Sequence, residues 1–316
     1  MKPCQVKLEV KSSIVDMDHL LEYRSFGTGV IGWEMVGKVV EVGDNVSGIH
    51  VGDTVIAISS SGCCQSGLII VEAMMVFLVD HPVDGMTSSA LIRPGIVAYD
   101  AVFYKMKIQK NDVVLILNPL HSASILLSQL AARIGAFLIV LVTAGDDDHD
   151  KVREMYQGVA CCNIAILPSI PEDDADIWLS DAVNLLVQKE TDGVGCDHVF
   201  IPSNIKPQNF NIISRLCMHA LAVHGTLVVA CDTFEISLQD TRLLKSKGAS
   251  VGYISLSSWL ILSSHPHRTV HVIQDLLSKF ANGELYIEMP LQYTFQNAIA
   301  ALNDKRQDLG IVSIAM

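Results

Sequence analysis

The stretch VVLILNPLHSASILLSQLAARIGAFLIVLVT, residues 113–143, decides how this chain is read. Residues 113–117 and 137–142 are continuous apolar runs rich in Val, Ile and Leu, the pattern of parallel strands covered on both faces. Residues 118–121 between them read as a tight turn and residues 122–134 as a buried helix. Strand, turn, helix and strand within about thirty residues form the unit that opens a dinucleotide-binding α/β fold. Such a turn normally carries glycines, and this one, Asn118-Pro119-Leu120-His121, has none. The unit predicts a nucleotide fold, and the missing glycines leave open whether nucleotide still binds.

Downstream, the alternation of buried strand and helix continues. Strands are expected at 163–167, 198–201, 226–230 and 250–254, and helices at 175–190 and 210–222. About six strands with crossover helices make a doubly wound parallel sheet. A helix at 269–281 stops at Asn282-Gly283, and the tail adds a helix at 295–302 and a strand at 311–314. The acidic cluster Asp146, Asp147, Asp148 and Asp150 reads as a solvated turn before a helix.

Upstream, the pattern is different. Val6, Leu8 and Val10 alternate as a strand. Residues 32–55 are strand-like runs broken by Gly37, Gly43-Asp44-Asn45, Gly48 and Gly52-Asp53, residue types that supply tight turns. Short strands at such spacing, continued over 62–80, predict a small β-barrel. Residues 84–88 cap a helix around Ala90, Pro94-Gly95 marks a break, and residues 96–104 read as a second helix. The domain boundary is placed at this break.

Composition narrows the classes. The chain has 316 residues, half of them hydrophobic, so one large or two ordinary domains with ample core are expected. A net charge of −12 argues against nucleic acid or an anionic membrane as partner. The most apolar window, 125–142, is interrupted by Gln129, Arg133 and Gly135 and divides into helix plus strand, so no span is expected. The N-terminus lacks a hydrophobic signal core. Eight cysteines include the pairs Cys63-Cys64 and Cys161-Cys162 but no C-x-x-C, which fits reduced thiols in a cytoplasmic protein. His265, His267 and His271 lack a carboxylate at ligand spacing, and no metal is expected there.

Several motifs, in order along the chain, resemble those of the medium-chain dehydrogenase/reductase superfamily and, within it, the zeta-crystallin-like quinone oxidoreductases. Gly32-x-Glu34-x-x-Gly37-x-Val39-x-x-Val42-Gly43 is similar to the family's barrel motif, and Val51-Gly52-Asp53-Thr54-Val55 to its turn. Arg93-x-Gly95-x-x-Ala98-Tyr99 resembles the helix that enters the cofactor domain. Thr191-x-Gly193-x-Gly195-Cys196-Asp197, Leu221-x-x-His224-Gly225, Lys247-Gly248-Ala249 and Asn282-Gly283-Glu284-Leu285 continue the likeness. The resemblance implies a GroES-like β-barrel catalytic domain built from both chain ends (1–93 and 263–316) and a central Rossmann domain (94–262). It also implies a ligand cleft between the two, hydride transfer from NADPH to a quinone or enone acceptor, and a homodimer paired through the edge strand at 250–254.

The departures from the family matter as much. The catalytic-zinc histidine of the alcohol dehydrogenases is here Trp33, which implies metal-free chemistry. The glycine loop aligns with Asn118 through Ser124: Asn118 stands for the first glycine, His121 and Ser122 for the middle pair, and Ser124 for the last. Ser124 is small enough to pack. His121 and Ser122 put side chains where phosphate would come, and glycine's positive φ there would cost them about 1–2 kcal/mol each. The helix N-terminus still offers N–H groups, and His121 can donate to a phosphate. Both readings, a weakened cofactor site and a turn that merely closes the fold, stay open.

The family's positions beside the nicotinamide fall on Asp16 and His19. Residues expected to line the catalytic site are Asp16, His19, Arg93 and Tyr99, with the alternative that the segment holding Asp16 and His19 is a surface loop. Cofactor contacts are expected from Asn118, His121, Ser122, Ala123, Ser124, Thr143, Lys151 and Cys231, the last standing where relatives carry a glycine. The second strand ends at Thr143 without an acid to hold a ribose 2′-hydroxyl, although Asp146 a few residues later could serve. Lys151 matches a lysine near the NADP phosphate in relatives, while Asp146, Asp147 and Asp148 would repel that phosphate, and the resemblance favours NADPH over NADH. The strand at 6–10 comes almost at the start, so the barrel is expected to lack a hairpin and to expose a sheet edge. The competing functional class is a catalytically degenerate binding or scaffolding protein.

Overall fold

A computed structural model describes residues 1–16, 33–59, 67–79, 85–143, 149–167, 169–170, 175–203, 210–231, 234–260, 266–288, 291–294, 297 and 311–315. The chain divides into two compact units, 1–96 with 256–316, and 97–255.

The first unit is built on one antiparallel-rich sheet. Its strands are β1 (Gln5–Asp16), β2 (Glu34–Val42), β3 (Thr54–Ile58), β4 (Leu68–Glu72) and β5 (Val76–Leu78). β12 (Leu291–Thr294) and β13 (Ile311–Ala315) come from the far end of the chain. The order is β12-β13-β1-β2-β3-β5, with β4 also on β1. Alternation along β1 and β2 drives Val6, Leu8, Val10, Met35 and Val39 into one core with Val55, Ala57, Val71 and Val76. Lys11 is an extra residue between the pairs Val10–Gly37 and Ser12–Val36, a bulge that shifts the pairing register, and Ser12, Ser13 and Ile14 beyond it are all buried. At Gly37 a Cβ would lie 2.9 Å from the Glu9 carbonyl oxygen, so only glycine allows this strand spacing.

The expected exposed edge does not fall on β1. β2 covers one side, while β4 pairs with its first half and β13 with its second. Twelve residues are long enough to hold two partners end to end, which the short alternating signal at the start of the sequence did not convey.

The break expected at Pro94-Gly95 is also absent. Helix α1 (Gly85–Tyr99) runs straight through Pro94 and continues as a π-helical segment, Asp100–Met106. Proline forfeits one helical hydrogen bond and crowds the preceding turn. Burial on the helix offsets this, because Leu91, Ile92 and Ile96 are fully enclosed. Gly95 leaves room for a neighbour: a Cβ there would lie 2.8 Å from a Leu276 methyl in the later helix Pro266–Ala281.

The second unit is a six-stranded, all-parallel sheet. Its strands are β6 (Val113–Ile116), β7 (Phe137–Thr143), β8 (Cys162–Leu167), β9 (Cys196–Ile201), β10 (Leu221–Val229) and β11 (Ser250–Tyr253). The order β11-β10-β9-β6-β7-β8 is, read in reverse by position in the unit, 3-2-1-4-5-6, the doubly wound dinucleotide-fold order. The crossovers include α2 (Ser122–Ile134), α3 (His149–Tyr156), α4 (Ala175–Asn184), α5 (Phe210–Ala220) and α6 (Leu238–Lys247). α2 spans the residues expected from sequence and stops at Gly135, whose φ of +93° makes the left-handed cap.

The Thr191–Asp197 motif acts structurally. The Thr191 hydroxyl donates to the Val187 carbonyl and accepts the Gly195 amide at 2.8 Å, and the Asp197 carboxylate accepts the Val113 amide at the start of β6. β10 begins at Leu221, five residues earlier than expected. A register shift against β9 between Leu221 and Thr226, with His224 at φ +64°, accommodates His224-Gly225 and masked the strand in the sequence.

Candidate functional site

In a sheet of this order, ligands meet the carboxyl ends of the strands where the order reverses, here between β6 and β9. The turn from Asn118 to His121 sits at the end of β6 and feeds α2. Asn118 carries φ +43°, the left-handed conformation that glycine supplies in relatives and that asparagine tolerates better than most residues. His121 and Ser122 do not pay the expected strain. His121 has φ −67° and Ser122 is the first helical residue. The obstacle they pose is side-chain position, not backbone angle.

His121 is the N-cap of α2. Its Nδ1 accepts the Ala123 amide at 3.2 Å, so that nitrogen is unprotonated in this arrangement, and its Nε2 lies 3.1 Å from the Ser203 hydroxyl. The imidazole therefore holds one of the amides a helix start normally offers to an anion.

Leu120 turns the other way, into a cluster with Val140, Val142, Val152 and Tyr156. The buried Tyr156 hydroxyl donates to the Pro119 carbonyl at 2.8 Å, and Ser124 donates to the Leu117 carbonyl at 3.0 Å. These bonds fix the turn to α3 and to the end of β6. Ser122, Ala123 and Ser124 are all buried, with Ser124 filling the small-residue position where helix meets strand.

Asn118, His121, Ser122, Ala123 and Ser124 thus lie together where β6 passes into α2. Cys231 belongs to the same end of the sheet, two residues past β10 and partly buried, and Thr143 closes β7. Lys151 is half-buried in the first turns of α3. Tyr99 is half-buried near the end of α1, its ring 4.4 Å from that of Phe103. His19 lies outside the described residues, as do Asp146, Asp147 and Asp148, and Asp16 is placed only as the last residue of β1.

Arg93 has a setting unlike the one expected of a substrate contact. It is buried in the first unit, its Nε 3.7 Å from Glu34 Oε1, with the guanidinium 5.2 Å from the centre of the Trp33 ring. Trp33, Glu34 and Arg93 thus form one group, an ion pair whose guanidinium lies over the indole. Among the described residues, no group of three His, Cys, Asp or Glu side chains could hold a metal ion.

Ser203 and Tyr156 are the site residues that the sequence did not reveal. Ser203 follows the strand at 198–201, and its strand-end position was the one available signal. Away from this turn, His198 of β9 lies 3.0 Å from Asp112, just before β6, and ties those strands.

Burial makes poor nucleophiles of Cys162, Cys196 and Cys217. Burial pushes Cys196 up to about 12 and Cys162 up to about 11, and it raises Cys217 and Tyr156 as well. The neutral forms are therefore favoured by folding. For the buried thiols Cys196 and Cys217 that contribution is complete below the unfolded value near 9 and declines above it, at about 1.4 kcal/mol per group per pH unit, and the half-buried Cys162 adds less. Urea unfolding is expected to show a clear loss of stability between about pH 8 and about pH 10. An unchanged midpoint would contradict the burial of these thiols.

Comparison with known proteins agrees with this geometry. Residues 3–91 match the alcohol dehydrogenase GroES-like domain. The chain shares the fold of solved enoyl and quinone reductases, with a GroES-like domain at 3–91 and a Rossmann-like parallel sheet in the second unit. Mouse (Mus musculus) quinone oxidoreductase-like protein 1 is 23% identical over 271 residues, which cover 80% of this chain and 72% of that protein. A putative NADPH:quinone reductase from Bacillus thuringiensis superposes with a TM-score of 0.78 at 16% identity, covering all of this chain and 91% of that one. The CurK enoyl reductase gives 0.77 at 18%, covering 100% and 92%. A mycobacterial structure complexed with NADPH also gives 0.77 at 18%, with the same coverage. Among the described residues no helix is long and apolar enough to cross a membrane.

Proposed function

We propose that this chain is a zinc-independent, NADPH-dependent reductase that passes a hydride to a small quinone or enone acceptor. The observation that carries the reading is the start of α2 at the switch point of the sheet, where Ser122, Ala123 and Ser124 keep the helix small and close. Their backbone amides fit a pyrophosphate once the imidazole yields. The nicotinamide would supply the hydride. The neighbours whose names include NADPH:quinone reductase, enoyl reductase and NADPH complex support the same class.

The chain's own residues would do the following. Asn118 turns the backbone so that the helix start faces the ligand end of the sheet. Thr143 leaves the end of β7 without a carboxylate, and Lys151 supplies a cation in α3, which together favour a 2′-phosphate. Trp33 occupies the zinc-histidine position beneath Arg93, consistent with acceptor chemistry that needs no metal. Asp16, His19 and Tyr99 are the proposed acceptor-side residues, and Cys231 the neighbour of the nicotinamide. A cytoplasmic homodimer paired through β11, an end strand of its sheet, belongs to the same proposal.

One observation favours the second reading, a non-catalytic binding or scaffolding protein: His121 caps α2 in place of a ligand. The two readings separate in one assay. Purified chain is incubated with NADPH or NADH and a panel of quinones and enones, and cofactor oxidation is followed. The reductase reading expects acceptor-dependent oxidation that favours NADPH. Saturable cofactor binding with no oxidation by any acceptor would favour the scaffold instead.

A further inference from the structure

The sequence aligns His121 with a phosphate-facing glycine, but the structure gives that residue a specific task. Its Nδ1 accepts the Ala123 amide, its Nε2 meets Ser203 across the switch point, and its own carbonyl accepts the Ile125 amide. The imidazole bridges the ends of two central strands, β6 through its own turn and β9 through Ser203. Behind it, Leu120 is locked in a core cluster and Pro119 is held by the buried Tyr156 hydroxyl. The turn backbone is therefore fixed, and the imidazole side chain is the part that can move.

We propose that His121 and Ser203 form a built-in closure over the phosphate-binding end of α2, so that a dinucleotide's pyrophosphate must displace the imidazole to reach the Ala123 amide. This rests on the reading of that helix start as the cofactor site. An N-cap bond and a hydroxyl–imidazole bond of ordinary net strength are lost on opening, which weakens phosphate binding by about 10- to 30-fold relative to an uncapped start. The phosphate and the imidazole compete for one amide. His121 thus sets the cofactor concentration at which the chain loads.

The test uses the full chain with 15N labelling, inorganic pyrophosphate and NADPH as probes, and the variants His121→Ala, His121→Asn and Ser203→Ala. His121→Ala is expected to bind both probes about tenfold more tightly than the unaltered chain. Ser203→Ala, which frees one end of the imidazole, is expected to tighten binding a few-fold. His121→Asn keeps a side chain able to cap the amide but too short to bridge to Ser203, and should tighten binding a few-fold, like Ser203→Ala. It carries the test if His121→Ala fails to fold. In the unaltered chain, added pyrophosphate should shift the His121 imidazole nitrogen signals as the ring leaves the cap. Equal or weaker binding by the variants would overturn the closure while leaving the cofactor reading intact. Absence of binding in every folded variant, with NADPH as with pyrophosphate, would overturn both.

Discussion

Arg93→Met is expected to destabilise the chain by about 3–5 kcal/mol, because it removes the guanidinium beside the enclosed Glu34 carboxylate. The Glu34 side chain is fully buried and that of Arg93 is only 5% exposed. Water cannot compensate either group. Glu34 opens β2 and Arg93 lies just past the middle of α1, so their pair ties helix to sheet. The guanidinium also loses its place against the Trp33 ring, worth about 0.5–2 kcal/mol in similar settings. The double variant Glu34→Met with Arg93→Met should recover most of the loss, since replacing both members of a buried pair is often near neutral. Urea unfolding of the single and double variants checks this. A single-variant loss below about 1 kcal/mol would show the pair to be solvated, and Arg93 would again be a candidate acceptor contact.

Lys247→Met is expected to cost about 2–4 kcal/mol. The Lys247 ammonium closes α6 by donating to three carbonyls, those of Met218 at 3.2 Å, His219 at 2.6 Å and Leu221 at 2.5 Å. Those carbonyls gather where α5 passes directly into β10 with no loop between. Carbonyls of a last helical turn have no intrahelical donor, and a cation there also meets the negative end of the helix dipole. Methionine keeps the stem and removes all three bonds. Lys245→Met, an exposed lysine in the same last turn, is the control and should change stability by less than about 0.5 kcal/mol. Equal effects at the two positions would mean that overall charge matters and the carbonyl cradle does not.

The fold was legible because its signals are local and mutually consistent. The apolar runs at 113–117 and 137–142, with Gly135 between them, specified β6, α2 and β7 almost to the residue. Thr191, Gly193, Gly195 and Asp197 marked a turn whose hydrogen bonds the structure supplies. Pro94 misled because its local preference was outweighed by burial of the helix around it. The site was half legible. The turn and its glycine substitutions could be read, and asparagine at the first position is the one that takes the left-handed angle. The bond from His121 to Ser203 spans 82 residues of sequence, and no spacing rule announces it. The expected strain at His121 and Ser122 was wrong for a related reason: the backbone adapts by starting the helix at Ser122, and the side chain then decides what fits.

The most direct measurement is a titration of the 15N-labelled chain with NADPH, and separately NADH, following the amide signals of Ser122, Ala123 and Ser124. Saturable NADPH binding at about tens of micromolar, weaker NADH binding and movement of these three amides are the expected result. Absence of saturation, or saturation that leaves these amides unmoved, would contradict a cofactor site at the start of α2.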